Sequence, residues 1–511
     1  MATPYLCERD GVSRFPELQA EHVTDGGERQ AQGSRGIMRN MRALLISTYD
    51  LGRQPLGLAS QAAWLREAGA TVECVDTSRD DLRDDHIREA DVVAFYLPMH
   101  TATRLTAPLI ERVRTLNPTA TLAAYGLYAP LNAAWLRERG VSHVLGPEVA
   151  RTLAQLVATP GAPPGTGLDT SRAARVPVRP DRSTLPPLSR YAALQMPDGT
   201  RRVVGNTDAT RGCKHLCRHC PIVPVYAGTF RAVPVDDVMH DIHAQVSAGA
   251  QHITFGDPDF FNGPTHARRV VLRLARECHG VSYDVTIKIE HLLKHQDLLP
   301  LLRDTGCLVI TSAVESVDDQ VLVHLRKGHT RADFVRALAL CRAAGVSLSP
   351  TFVPFTPWTT LAGYADLLDA IEALDLVEAV APIQLAIRLL VTAQSALLDL
   401  PDIQRVVESY DPQSLLWPWR HHDPRVDALQ REIMRVVAAG ASTSRRDLFE
   451  RIAQAVREDT GSAETLPRAS CRGERSAATM PGQTAPAATP PFLTEPWYCC
   501  AEPGPELHDL M

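Results

Sequence analysis

Thr210-Arg-Gly-Cys-Lys-His-Leu-Cys-Arg-His-Cys-Pro221 follows directly on an apolar run near 203–208. Its thiols Cys213, Cys217 and Cys220 are separated by three and then two residues. Three thiolates so spaced on one loop hold three corners of a four-iron, four-sulfur cube and leave the fourth iron without a protein ligand. Soft thiolates also suit zinc, but a structural zinc site is closed by four ligands. Here the fourth would be His215 or His219, which lie between the cysteines rather than on a second knuckle downstream. The spacing therefore favours a cluster with one open iron, a place where chemistry can happen.

The chain around this loop sets the fold class. After Arg202, apolar runs near 203–208, 252–257, 282–290, 307–314, 347–355 and 382–388 alternate with helical stretches such as 235–249, 265–278, 331–344 and 361–374. Six strand–helix units predict a six-stranded (β/α)6 partial TIM barrel over 201–390, with its active site at the carboxyl ends of the strands. Upstream, the runs Ala43–Ser47, Val72–Asp76, Val92–Leu97, Leu122–Tyr125 and His143–Leu145 alternate with Leu58–Ala68, Ala102–Leu116 and Ala133–Arg139. That pattern predicts an α/β, doubly wound parallel sheet over 41–158. Residues 159–200, rich in Pro, Arg and Gly, read as a linker, and 391–460 as a helical region. Residues 461–490 read as a flexible linker of Ala, Thr, Pro, Gly and Ser, and 491–511 as a tail that carries an aromatic pair and two adjacent thiols. Residues 1–40 show no periodicity, so they read as disordered or as an extension ahead of a start at Met38 or Met41.

Bulk properties exclude several classes. A chain of 511 residues is too long for one ordinary core, which predicts two or three domains. A formal net charge of −6, with 53 basic and 59 acidic residues and no long basic run, gives no clear nucleic-acid signal. No apolar stretch approaches the roughly 18 residues that span a bilayer, and the first 40 residues lack a signal-peptide core. Eleven cysteines in a chain this long are no disulfide framework, and a motif that must stay reduced points to the cytoplasm.

The cysteine spacing, the aromatic His219 before the last thiol and the position after the first barrel strand resemble the radical S-adenosylmethionine (radical SAM) superfamily. The resemblance implies a [4Fe–4S] cluster whose open iron chelates the amino and carboxylate groups of SAM. An electron, from a donor such as flavodoxin or ferredoxin, then cleaves SAM to methionine and a 5′-deoxyadenosyl radical. Gly256-Asp257 stands where such enzymes carry a Gly-Gly-Glu-like segment that receives the SAM amino group, although Gly-Asp-Pro is also good turn chemistry on its own. Alternation along the third strand puts Lys288 and Glu290 on the barrel interior, either to hold the SAM carboxylate or ribose or to pair with each other. Ser312-Ala-Val-Glu-Ser-Val-Asp318 and Leu325-Arg-Lys-Gly-His-Thr330 resemble segments of radical SAM enzymes with an N-terminal cobalamin-binding domain. By that resemblance Glu315 faces SAM, and Arg326 or Lys327 meets its carboxylate; the second segment also reads as an ordinary helix end.

Ser47-Thr-Tyr-Asp-Leu-Gly52 stands where cobalamin-binding domains carry Asp-x-His-x-x-Gly, so Tyr49 replaces the histidine while Gly52 is kept. A phenol with a pKa of about 10 is a poor ligand for cobalt. Two readings stay open: cobalamin bound without a protein ligand, or a cobalamin-binding-like fold without the cofactor. Cys499-Cys500-Ala-Glu-Pro503 resembles the ending of the radical SAM (seleno)protein family named for its CUAEP or CCAEP tail. Cys499 and Cys500 then serve as catalytic or metal-binding thiols, as a vicinal disulfide that passes electrons, or not at all. A flexible linker of roughly 30 residues has an r.m.s. span of about 30 Å, which brings the barrel mouth within reach of the tail.

Together these readings predict a radical SAM enzyme that abstracts hydrogen from, or supports methyl transfer to, an unknown substrate. The alternative is a non-catalytic iron–sulfur sensor or scaffold whose thiol tail binds a partner. Asp257, Lys288 and Glu315 at strand ends favour the enzyme, since a sensor needs no polar barrel mouth.

Overall fold

The computed structural model describes residues 41–148, 150–158, 166–167, 179–440, 443–459 and 489–495. The expectations for residues 1–40, for the linker between 461 and 488 and for the thiols Cys499 and Cys500 lie outside the described residues.

The first sheet consists of β1 (Arg42–Ser47), β2 (Thr71–Asp76), β3 (Val92–Tyr96), β4 (Thr121–Tyr125), β5 (His143–Leu145) and the two-residue β6 (Thr166–Gly167). All neighbours are parallel, in the order β2-β1-β3-β4-β5-β6. Successive side chains of β1 point to opposite faces. Leu44 and Ile46 pack with Ile87, Ile110 and Val113, whereas Ala43 and Leu45 pack with Leu58, Ala62 and Leu65. A strand that is apolar on both faces needs helices on both sides, as a doubly wound sheet provides. The winding reverses between β1 and β3, which opens a crevice at their carboxyl ends.

The second sheet is built from β7 (Ala193–Gln195), β8 (Arg201–Thr207), β11 (His252–Phe255), β12 (Ser282–Thr286), β13 (Cys307–Glu315), β14 (Ser347–Phe352) and β15 (Phe492–Leu493), in the order β14-β13-β12-β11-β8-β7-β15. From β8 to β14 the pairs are parallel; β7 and β15 add antiparallel strands at the edge. Between β8 and β11 a small antiparallel ribbon, β9 (Thr210–Gly212) with β10 (Phe230–Ala232), closes the cysteine loop like a clasp.

Three expectations need correction. The third barrel strand stops at Thr286, so Lys288 is the N-cap residue of the helix Ile289–Lys294 and Glu290 sits in its first turn, where an acid complements the helix dipole. Residues 382–388 form a 3-10 turn, Pro382–Leu385, and touch the sheet through a single parallel bridge between Phe355 and Arg388. Pro382 has no N–H to give a ladder. Most of 391–423 is irregular, with one short helix, Pro401–Val406, and isolated antiparallel bridges such as Thr392–Leu416. Pro412 and Pro418 interrupt that stretch, and the long helices begin only at Pro424–Ala439 and Arg445–Asp459.

One guanidinium ties both sheets together. Arg182 pairs with Asp241 through Nε at 2.8 Å and Nη2 at 2.9 Å, donates from Nη1 to Gln54 Oε1 at 2.8 Å and from Nη2 to the Asn206 carbonyl at 2.7 Å. Gln54 follows β1 and Asn206 lies in β8, so the two carboxyl-end faces are clamped toward each other. No helix among the described residues is long and apolar enough to cross a membrane.

Candidate active site at the barrel mouth

Cys213, Cys217 and Cys220 are free thiols on the loop that leaves β9. The turn is held by a Cys220 N–H to Cys217 carbonyl bond of 3.2 Å, and Arg218 pins the loop to the end of the helix Asp319–Leu325 through the Leu325 and His324 carbonyls. Burial pushes the Cys213 thiol up to about 11, a penalty that a bound cation removes by holding the thiolate. The other free cysteines of the described residues, Cys74, Cys278, Cys307 and Cys341, are buried on other elements. The donor set here is thus three convergent thiols, which fits a cluster with one iron left to another ligand.

Asp257 braces this loop. Its carboxylate accepts from the Ala209 N–H at 2.8 Å and from Thr210 Oγ1 at 2.6 Å, one turn of chain before Cys213. Burial, helped by the charge of Asp208, pushes its carboxyl up to about 7. Gly256 packs against Asp208, whose Oδ1 would lie 2.5 Å from a Cβ at that position. Asn262 adds a second brace, donating to the Gly212 carbonyl at 3.1 Å.

Glu315 ends β13 in the left-handed region at φ +71°, where a register shift against β14 turns its side chain inward. Its Oε1 lies 3.0 Å from His219 Nε2 and 3.2 Å from Lys327 Nζ. Burial opposes the charge, but the Lys327 ammonium and His219 outweigh it and hold the carboxyl at about 2. Lys327 is therefore the basic residue that turns inward, whereas Arg326 is the exposed C-cap of its helix. Lys288 Nζ lies 3.3 Å from Glu290 Oε2 and 3.3 Å from His215 Nδ1, so the pairing alternative is the one the geometry presents. His215 and His291 were not singled out by sequence reasoning; a histidine inside the cysteine loop was the available signal.

The carboxyl ends of the two sheets face each other across a cavity of about 260 Å³. Asp50, Arg53 and Tyr96 line it from the first sheet, and Asp208, Arg211 and Thr351 from the second. Burial pushes the Asp50 carboxyl up to about 7, against the nearby Arg53 guanidinium. Tyr49 is buried and donates from Oη to Glu495 Oε1 at 3.0 Å. Gly52 adopts φ +65° beside the same side chain, and a Cβ there would meet Glu495 Oε2 at 2.8 Å. Glu495 is brought there by β15, whose register on β7 is fixed by Thr494 N–H to the Ala193 carbonyl at 2.9 Å and Ala193 N–H to Thr494 Oγ1 at 3.0 Å.

Residues 208–369 match the family model of the radical SAM superfamily, so the chain carries a radical SAM domain. It is 25% identical over 266 residues to a tRNA-2-methylthio-N(6)-dimethylallyladenosine synthase of Pseudomonas syringae pv. syringae, covering 49% of this chain and 56% of that protein. It is 22% identical over 338 residues to the hopanoid C-3 methylase of Methylococcus capsulatus, covering 62% and 64%. The chain spans about half the length of the first of these relatives. In structure it is similar to the cobalamin-dependent S-adenosylmethionine radical enzyme OxsB, solved with aqua-cobalamin bound, at a TM-score of 0.58 and 13% identity over 82% of this chain and 72% of that one. The last likeness is one of fold.

Proposed function

We propose that this chain is a radical SAM enzyme that acts at the barrel mouth on a substrate held in the cleft between the two sheets. The observation that carries this reading is the trio of free, convergent thiols at the carboxyl end of the first parallel barrel strand, beside a polar cavity. Cys213, Cys217 and Cys220 would hold a [4Fe–4S] cluster, which with SAM supplies reductive cleavage to a 5′-deoxyadenosyl radical. Asp257 and Asn262 keep the loop rigid, and Glu315 with Lys327 fixes the His219 ring beside the last thiol. Gly256, with no side chain in the way, leaves backbone open to the SAM amino group, and Lys288 with Glu290 offers a charge pair to its carboxylate or ribose. The relatives' names support either hydrogen abstraction or methyl transfer as the following step. A flavodoxin- or ferredoxin-type donor and a cytoplasmic site suit an oxygen-sensitive, one-electron step.

Tyr49 gives cobalt no ligand, because its hydroxyl is bound to Glu495. We therefore propose that a corrin in the cleft is held by contacts alone. Retention of hydroxocobalamin on desalting, with the spectrum of the unligated form, would support this; loss of all cobalamin would leave the cleft to substrate.

The reading is tested by anaerobic reconstitution with iron and sulfide, followed by SAM and a strong reductant. 5′-Deoxyadenosine or S-adenosylhomocysteine is the expected product. A four-iron cluster that yields neither in any reducing system would favour the sensor, and a single bound zinc on the three thiols would end the radical reading.

A further inference from the structure

We propose that His215, Asp259 and His291 form a second metal site, separate from the three cysteines and suited to one divalent cation of the zinc or ferrous class. The three residues come from different elements: His215 from the cysteine loop, Asp259 from the loop after β11 and His291 from the helix Ile289–Lys294. Asp259 Oδ2 lies 3.2 Å from His215 Nε2 and 2.5 Å from His291 Nδ1, and the two imidazole rings stand 4.5 Å apart between centroids. All three ligand atoms lie within 4.8 Å of one another. A cation at bond lengths of roughly 2.0–2.2 Å needs only small side-chain rotations to be reached by each.

Two features separate this cluster from a chance grouping. The Asp259 and His291 side chains are 1% and 2% exposed and that of His215 is 11% exposed, yet none of the three facing atoms makes a hydrogen bond of acceptable geometry. Each such buried orphan costs about 1–3 kcal/mol, so three converging on one point describe a place where a partner is expected. The carboxylate is also aimed: its other oxygen, Oδ1, accepts from the Phe261 N–H at 3.1 Å, which leaves Oδ2 turned toward the rings.

The donor set decides the ligand. Two imidazole nitrogens and one carboxylate oxygen suit zinc and ferrous ions, and three protein ligands leave a coordination position open for water or a substrate oxygen. Behind the site, Glu290 Oε2 lies 3.7 Å from His215 Nδ1, in the place of the carboxylate that often supports a metal-bound imidazole. Lys288 Nζ, 3.3 Å from the same nitrogen, provides the rival arrangement. If the ammonium donates to Nδ1, the ring proton sits on Nε2 and faces Asp259, and no cation enters.

Cobalt(II) is the probe that separates the two. Added anaerobically to cluster-loaded protein freed of loose metal, it is expected to bind at about one equivalent with d–d absorption typical of nitrogen and oxygen ligands. The triple variant Cys213→Ala, Cys217→Ala, Cys220→Ala should still bind it. Asp259→Asn and His291→Gln should weaken binding at least tenfold while leaving cluster absorption intact. X-ray absorption of zinc-loaded protein adds a readout that needs no variant: a shell of nitrogen and oxygen without sulfur supports the site. No stoichiometric cobalt or zinc, a sulfur shell, or equal binding by the Asp259 and His291 variants would overturn it in favour of the proton arrangement. Metal content is read apart from SAM cleavage, so failure here leaves the radical reading standing, and the reverse holds.

Discussion

Lys327 Nζ lies 3.2 Å from Glu315 Oε1, and both residues are buried. The carboxyl is held at about 2 against an ordinary 4.5, although burial alone would raise it, because Lys327 and His219 favour the charged form. A depressed carboxyl stabilises the fold above its unfolded value and loses that contribution as pH falls through the folded one. Wild-type stability attributable to Glu315, on the order of 3 kcal/mol, should thus fade between pH 4.5 and about 2. Denaturant unfolding of cluster-free protein, compared with Glu315→Gln, should show a gap of about 3 kcal/mol at pH 6 that closes toward acid. A gap that does not change with pH would assign the effect to packing.

Asp50 should behave in the opposite sense. Burial raises its carboxyl from 3.8 to about 7, so the folded state loses stability as pH rises through that window. Asp50→Asn is expected to match wild type below about pH 4 and to be more stable by roughly 2 kcal/mol at pH 8. Thermal melts at both pH values check it.

Arg182 makes four charge-assisted bonds to groups on both sheets. Arg182→Ala leaves Asp241 buried and unpaired, which should cost about 3–5 kcal/mol, and Lys should not rescue it because it lacks the planar fork. Denaturant midpoints of the three proteins decide the point.

Tyr49 and Glu495 meet through one hydrogen bond across 446 positions. A double-mutant cycle with Tyr49→Phe and Glu495→Gln should return an interaction of about 1 kcal/mol. Additive effects in thermal melts would mean that the contact is not maintained in solution.

Among the free cysteines, only the loop thiols should govern iron. Cys217→Ala should abolish cluster absorption and SAM cleavage, whereas Cys341→Ala, in the core, should keep both and lose about 1–2 kcal/mol of stability. Iron and sulfide analysis after reconstitution distinguishes them.

The parallel strands of both sheets were legible because each is a short apolar run bounded by turn residues, and because a helix follows nearly every one. Lys288 and Glu290 were placed on a strand because the period of two runs on from Thr286. Only the backbone shows that a helix starts at Ile289, and the same three-residue change of period brings His291 toward Asp259. The link between Glu315 and His219 spans 96 positions and rests on one residue with positive φ, which no local pattern announces. The same holds for β15: two residues carry no strand signal until β7 offers them an open edge.

That edge pairing changes the mass action of the chain end. Cys499 is four residues and Cys500 five residues beyond Glu495, so their backbones lie within roughly 14 and 18 Å of that anchor at full extension. A free linker with a span of about 30 Å would let the same thiols range through a volume roughly tenfold larger. Pinning Phe492–Glu495 therefore raises their effective concentration around the loop after β1 by about an order of magnitude, and any thiol chemistry there becomes first order in this chain, independent of how dilute the protein is.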